Sequence, residues 1–301
     1  MMKYGLVLEG GSRKGLYTAG ILDVFMEQGF HFDYIIGVSA GSHAALNYVT
    51  GQKGRLKQVL SPESIRQKTH KNGALWRDGI LKEMHFMIYK YSFDRKNPFD
   101  FKKFFASDVQ CEIGATCADT GIPVYWCDQE NAVAKKKLPI SRIRRNRLLL
   151  DHVCASCSLP ILFPPVKIGD KHYADGCVTD SVPFERAFEQ GCDKLVVITT
   201  QEPWDGPTDF KKWDLLLSPM YKRKWPNLYN ALMTRYENYC KQEKRLAELE
   251  QEGKALVFHP VEVLCGLFEN SAEKINESYD YGVRSANARL KEVKKFLGID
   301  A

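Results

Sequence analysis

One five-residue stretch, Gly37-Val38-Ser39-Ala40-Gly41, limits the possible folds of this chain more than any other, because it sits where a strand hands over to a helix. Before it runs Tyr34-Ile35-Ile36, apolar and β-branched; after it runs Ser42 to Tyr48, with good helix formers. A G-x-S-x-G in that setting reads as a nucleophile elbow. The two glycines, Gly37 and Gly41, permit a sharp, strained turn that no Cβ-bearing neighbour would tolerate, and the turn presents the Ser39 hydroxyl at its tip. At average glycine and serine usage the bare pattern arises by chance in about one chain in ten of this length. A bland glycine-rich turn therefore remains the alternative until other residues join it.

The surroundings supply a sheet for the elbow to belong to. Tyr4 to Leu8 is a short apolar run of the kind that forms a buried parallel strand, and Gly10-Gly11-Ser12-Arg13-Lys14-Gly15 follows as a loop. Leu16 to Gln28 reads as a helix with Leu16, Ala19, Gly20, Ile21, Val24 and Phe25 toward the core, ended by Gly29. Phe32 to Val38 is the second strand. Strand, helix and strand at this spacing form a βαβ unit, so the class is α/β and the sheet begins parallel. From about Gly54 to Phe105 the pattern weakens and a helical cap is expected. Cys111 to Cys117 and Ile122 to Cys127 read as strands joined at Asp119-Thr120-Gly121. Arg147 to Ser158 reads as a helix stopped by Pro160 and the Pro164-Pro165 turn, and Lys194 to Thr200 as another buried strand. Past Thr200 the composition shifts to tryptophans and tyrosines mixed with lysines. A long charged helix over Tyr229 to Glu252, an apolar run over Leu256 to Leu264 and a helix over Ser271 to Leu297 complete the chain. A soft boundary falls near residue 200, giving a first domain over 1–200 and a mainly helical region over 201–301.

Charge and cysteine usage narrow the function classes. A net charge of +6 over 301 residues mildly favours anionic partners such as phospholipid headgroups and is too small to argue for nucleic acid. Nine cysteines, odd in number and irregular in spacing, suit a reducing cytosol. Cys154-Ala155-Ser156-Cys157 has C-x-x-C spacing without a second Cys/His pair at zinc-finger distance, and reads as two packed thiols on a helix. The apolar run after Met1 meets Glu9 too early for a signal peptide. The longest uncharged stretch, Tyr34 to Gln52, contains the elbow, His43, Asn47 and three glycines, which argues against a lipid-facing helix. A soluble, cytoplasmic protein is the expectation.

An activated serine needs a base, donors for the developing oxyanion and exclusion of competing water. The loop of Gly10, Gly11, Ser12, Arg13, Lys14 and Gly15 leaves strand one and enters a helix, so its backbone N–H groups converge where the helix dipole is positive. The rival reading is phosphate binding. Gly10 and Gly15 have the P-loop separation, but Leu16-Tyr17 stand where Lys-Ser/Thr should follow. An oxyanion loop is preferred, with a purely structural turn as the alternative. For the base two candidates exist. The order Ser39, Asp175, His259 fits a hydrolase triad, yet only one strand and one helix precede the elbow, and His259 before Pro260 suits a strand end. The other is Asp175 itself, in His172-Tyr173-Ala174-Asp175-Gly176-Cys177, where Gly176 lets the backbone come close.

Taken together, in order and spacing, these segments carry a resemblance. Leu8 to Gly15 with Ala19-Gly20-Ile21-Leu22, the elbow, Ala155-Ser156 with Leu159-Pro160 and Phe163-Pro164-Pro165-Val166, and Asp175-Gly176 make the chain resemble the patatin-like phospholipases over about residues 4 to 200. The tail past residue 200 is similar to the extra C-terminal region of a bacterial branch. The resemblance implies a three-layer sandwich, a mostly parallel central sheet between helices, and a lipid acyl hydrolase without metal or organic cofactor. It implies Ser39 as nucleophile, Asp175 as its base, and Gly10, Gly11 and Ser12 as the oxyanion hole, with Gly37, Gly41, Lys14, Gly15 and Gly176 supporting the motifs. Three departures stand out. Ser12 replaces a third glycine and restricts φ, Lys14 replaces an arginine and loses the planar fork, and Cys177 replaces a small residue after Asp-Gly. A dyad also makes a physical demand. Free aspartate, with a pKa of about 3.9, is a poor match for a serine proton, so Asp175 is expected in a largely apolar cleft within reach of the Ser39 hydroxyl.

Two regions could face lipid. Lys135 to Arg147 holds seven Lys/Arg in thirteen residues. It reads either as a solvated loop with helix-terminal charges or as a headgroup-facing patch that holds the protein peripherally on the inner face of an anionic membrane. The cluster of Trp204, Trp213, Tyr221, Trp225, Tyr229, Tyr236 and Tyr239 invites the same idea, though packing of the C-terminal helices explains those rings equally. A non-catalytic lipid-binding protein on the same scaffold stays open beside the hydrolase.

Overall fold

A computed structural model of the chain describes residues 2–61, 88–129, 141–203, 206–267 and 269–299. Its centre is a sheet that opens as the βαβ pattern predicts. Strand β1 (Tyr4–Leu8) is followed by α1 (Gly15–Glu27), then β2 (Tyr34–Val38) and α2 (Ala40–Thr50). β1 and β2 pair in parallel, with Leu8 opposite Gly37. After α3 (Arg55–Leu60) and α4 (Phe101–Ala106) comes β3 (Gln110–Cys117), parallel to β2, and β4 (Ile122–Cys127), which returns antiparallel along β3. Helix α5 (Arg142–Ser156) leads to a small antiparallel pair, β5 (Val166–Ile168) and β6 (Lys171–Asp175). Helix α6 (Phe184–Glu189) precedes β7 (Lys194–Ile198), which lies on the far side of β1, again parallel.

The C-terminal third is helical apart from one strand. A short turn of helix, α7 (Asp214–Leu217), and the long α8 (Pro226–Gln251) lead to β8 (Ala255–Phe258), which pairs in parallel with β7. Helices α9 (Ala272–Ala288) and α10 (Leu290–Phe296) end the described chain. Together β3, β2, β1, β7 and β8 form a parallel run, so the sheet is mostly parallel, with antiparallel strands only at the β3 end.

Alternation along these strands explains the layers, since successive side chains of a strand point to opposite faces. Leu6, Leu8, Ile35, Val196, Ile198, Leu256 and Phe258 pack into one core with residues of α1, α2, α5 and α10. Val7, Ile36, Leu195, Val197 and Val257 pack on the other face against Phe184 and Ala187 of α6 and Tyr239, Leu246 and Leu249 of α8. The tail seals the first face from outside. A Cβ at Gly20 of α1 would run into the Tyr279 carbonyl of α9, and one at Gly282 into the Tyr17 carbonyl, so the two backbones touch directly.

One geometric detail of the sheet positions the site. β4 occupies one edge of β3 from Glu112 to Cys117. β2 pairs with β3 up to Gly114, and β6 pairs with it from Ala115 to Cys117. Both overlap β4 in register, so both must use the opposite edge of β3, end to end. The end of β6 therefore meets the end of β2, and Gly176 abuts the Gly114 carbonyl and the Val38 side chain.

Several boundaries differ from the expectation. α5 begins at Arg142, because the Ser141 side chain accepts from the Arg144 N–H and caps a turn made of the basic residues themselves. Of the apolar run over Leu256–Leu264 only the part up to Phe258 is strand, ahead of Pro260, which cannot donate to a ladder. The helix expected over Ser271–Leu297 breaks at Arg289, whose φ of −107° and ψ of 12° leave the helical region. Of the expected cap, α3, a helical turn over 88–92 and α4 are in place, while 62–87 lies outside the described residues. So does the Lys135 to Ile140 part of the basic stretch, as does Trp204.

Candidate active site

Ser39 sits between β2 and α2 with φ 55° and ψ −125°, a left-handed conformation that serine adopts only under constraint. The constraint is visible on every side. Its N–H donates to Ser156 Oγ at 2.8 Å, and that hydroxyl donates to the Gly114 carbonyl at 2.6 Å. Its carbonyl accepts from Ser42 Oγ at 2.6 Å and from the Ser42 N–H at 2.9 Å. Both elbow glycines are required by close approach. A Cβ on Gly37 would collide with the Gly41 carbonyl, and a Cβ on Gly41 with the Leu8 carbonyl. The Ser39 side chain is left half-buried at the tip of the turn.

The loop after β1 lies against it. A Cβ on Gly10 would come within 2.7 Å of Ser39 Cβ, so Gly10 backbone is in contact with the serine. Gly11 has φ 146° and Ser12 φ 51°, and no hydrogen bond among the described residues takes the Gly10 or Gly11 amide. The Ser12 departure thus does not stop the loop from turning left-handed; its hydroxyl faces away and donates to the Leu267 carbonyl at 2.9 Å. Lys14 Nζ donates to Gln201 Oε1 at 2.6 Å, and the buried Arg13 donates to Asn270 Oδ1 at 2.8 Å. Gly15 begins α1.

Asp175 ends β6, is 2 % exposed, and has the Ser39 hydroxyl near enough to its carboxyl to lower its pKa. Its backbone is fixed by a bond from its N–H to the Ser158 carbonyl at 2.9 Å and by Thr116 Oγ1 donating to its carbonyl at 2.9 Å. Burial raises its pKa above the ordinary aspartate value. The Cys177 N–H, which donates to Oδ1 at 2.9 Å, the Ser39 hydroxyl and the charge of Arg235 pull it part of the way back. The carboxyl is thereby moved in the direction a general base for serine requires.

Four neighbours were missed by sequence reasoning. The Cys157 sulfur lies near the Ser39 and Ser42 hydroxyls, and burial holds its pKa high, as an unreactive thiol. Thus Cys154 is packed in α5 as expected, but Cys157, one residue past the helix end, faces the elbow. Glu9 is buried beside the glycine loop, where it accepts from the Thr200 N–H at 2.6 Å with the Tyr239 hydroxyl nearby, while Thr200 Oγ1 donates to the Gly10 carbonyl. Burial pushes its pKa up to about 7 despite these bonds and the charges of Arg235 and Lys14. Arg235 Nε donates to the Cys177 carbonyl at 2.8 Å, two residues past Asp175. Arg235 and Tyr239 both come from α8, one turn apart on one face, a spacing that sequence could display without saying what lies opposite.

His259 follows β8, three strand spacings from β2, which is about 14 Å at the usual separation. It is far outside hydrogen-bond reach of Ser39, and its carbonyl accepts from the Tyr17 hydroxyl. Among the described residues no group of three or more His, Cys, Asp and Glu is arranged to hold a metal.

Comparison with known proteins adds to this geometry. The family model described as patatin-like phospholipase matches residues 6–188, and a second, described as a domain of unknown function (DUF6363), matches residues 225–298. The chain is 26 % identical over 242 residues to the uncharacterized protein YjjU of Escherichia coli strain K12, covering 78 % of this chain and 63 % of that protein. It is 26 % identical over 197 residues to lysophospholipase NTE1 of Kluyveromyces lactis, covering 62 % of this chain and 12 % of that one. To the enzyme of the same name from Cryptococcus neoformans it is 25 % identical over 230 residues, 73 % of this chain and 13 % of that one. The chain therefore spans under two thirds of the first relative and about an eighth of the fungal proteins.

Proposed function

The chain belongs to the patatin-like phospholipase family, and on that premise we propose that it is a serine hydrolase that cleaves carboxylic esters of lipids through an acyl-enzyme. The observation that carries the reading is the strained Ser39 elbow, with the buried Asp175 carboxyl beside its hydroxyl. Ser39 Oγ attacks the ester carbonyl carbon while Asp175 takes its proton. The developing oxyanion lies toward the amides of Gly10, Gly11 and Ser12, supported by their position at the N-terminal approach to α1. Asp175 returns the proton to the departing alcohol, then draws one from water as that water attacks the acyl-enzyme, and Ser39 is regenerated with release of the acid. None of these steps asks for a metal or organic cofactor.

The lysophospholipase name of the fungal relatives supports a lipid with an accessible acyl ester as substrate. No helix among the described residues is long and apolar enough to cross a membrane. A cytoplasmic enzyme that meets lipid at the inner membrane face is the corresponding proposal. The strand separation of His259 weighs against a Ser39-Asp175-His259 triad, and His259→Asn should keep most activity on a soluble ester. A fluorophosphonate probe tests the whole reading. It should label the native protein and leave Ser39→Ala unlabelled, and Asp175→Asn should cut the labelling rate by about a hundredfold or more. Equal labelling of native and Ser39→Ala protein would discard the elbow as the reacting site, and absence of labelling would favour a lipid-binding protein.

A further inference from the structure

Among the described residues, four exposed large apolar side chains fall close together in sequence in the connection between β7 and α8. Residues 210–222 wind through successive tight and wide helical turns, including α7. Phe210, Leu217 and Tyr221 point inward, where they join Ala174, Val178, Leu228 and Leu232 in a small core of their own. Trp213, Leu215, Leu216 and Met220 point outward and are 52, 95, 50 and 41 % exposed. Leu228 at the start of α8 already completes the inner packing, so burial in the core does not account for the outward set.

Basic residues outnumber acidic ones around this apolar face. Lys211, Lys212, Lys222, Arg223 and Lys224 flank it and are all exposed. The acidic groups near it are engaged: Asp209 caps the turn at the Lys211 N–H, Asp214 accepts from the Tyr229 hydroxyl, and Glu237 pairs with Lys211. An indole and three aliphatic side chains inside a basic rim match a bilayer interface, where Trp sits at headgroup level, Leu enters the acyl boundary and Lys or Arg meets anionic headgroups.

We infer that residues 210–224 form a membrane-docking element that inserts Trp213, Leu215, Leu216 and Met220 into a bilayer carrying anionic lipid. This surface is distinct from the basic stretch that ends at Arg147, and docking through it does not depend on the chemistry of Ser39. It is nevertheless tied to the site. The Tyr221 hydroxyl accepts from the Ile161 N–H at 2.6 Å, in the loop that runs from α5 to β5. Ile161 has φ 81°, a conformation a β-branched residue rarely holds without an anchor. Three residues earlier in that loop, the Ser158 carbonyl fixes Asp175.

The test uses full-length Ser39→Ala protein, so binding is read without turnover. Vesicles of phosphatidylcholine alone are compared with vesicles containing one part phosphatidylglycerol to two parts phosphatidylcholine, at low and high salt. Sedimentation should show binding to the anionic vesicles that salt weakens, and brominated acyl chains should quench part of the tryptophan fluorescence. Leu215→Asp with Leu216→Asp should weaken binding by about tenfold or more. Replacing Lys222, Arg223 and Lys224 by Gln should weaken it by about fivefold per residue. Trp213→Phe should remove the bromide quenching while leaving the thermal midpoint unchanged. Binding that survives all of these changes, or that is lost only when Arg142, Arg144 and Arg147 are replaced, overturns the inference. So does a native dimer, seen by sedimentation velocity, that these variants dissociate while vesicle binding stays absent.

Discussion

Ser39 and Glu9 show how single residues at this site are held away from their intrinsic preferences. A serine at positive φ costs on the order of 1–3 kcal/mol, so the surrounding bonds from Ser42, Ser156 and the glycines must over-determine it. Gly41→Ala removes that support by driving a methyl into the Leu8 carbonyl, and should cost about 3 kcal/mol in denaturant unfolding and abolish probe labelling. Glu9 gives a pH signature. Its carboxyl titrates at about 7 in the folded chain against an ordinary 4.5, so the native state binds its proton more tightly than the unfolded state. The stabilisation this supplies is complete below the unfolded value and is lost as pH rises between the two. Glu9→Gln should flatten that fall, read as the slope of melting temperature against pH over that window. Asp175 differs in what it reports. As the proposed base it must be ionised to act, so the acid limb of kcat/KM should lie above the ordinary aspartate value, because burial raises it. Arg235 opposes that rise, and Arg235→Gln should move the acid limb to higher pH, with Arg235→Lys partly restoring it.

At the level of elements, the sequence displayed the local devices and hid the long-range ones. The elbow, the glycine loop and the turn at Gly176 are written in neighbouring residues, because strained turns need glycine within a position or two. The parallel start of the sheet was legible for the same reason, as an apolar period followed by a helical one. What periodicity could not reveal is that β6 continues β2 along one edge of β3, for strand pairing is set by tertiary packing. That alignment, rather than anything in the Asp-Gly dipeptide, carries Asp175 to Ser39. Arg235, Tyr239 and Cys157 were equally hidden, since a side chain on a helix face looks the same whether it meets water or the strained turn at Ser39. The start of α5 was misjudged because seven basic residues suggested a solvated loop, while the cap at Ser141 was a local signal open to reading.

Over the whole molecule, the region past residue 200 contributes to the same cores as the residues before it. β8 extends the sheet beyond β7, α8 covers one face, and α9 packs along α1 on the other. A protein cut after residue 200 would expose Val7, Ile36, Leu195 and Val197 on one side and the surface of α1 on the other. It should be recovered in inclusion bodies, or as a species with reduced near-ultraviolet circular dichroism, whereas the full chain should melt in one transition. The contact of Gly20 with Gly282 then has a consequence for inheritance. Each position forbids a side chain only because the other backbone is there, so neither can drift alone. Recombination between relatives that brings in a new tail without its matching first helix would join two surfaces of the wrong depth. The stretches that encode α1 and α9 are expected to descend together, and chimeras should regain solubility only when both halves of that seam come from one parent.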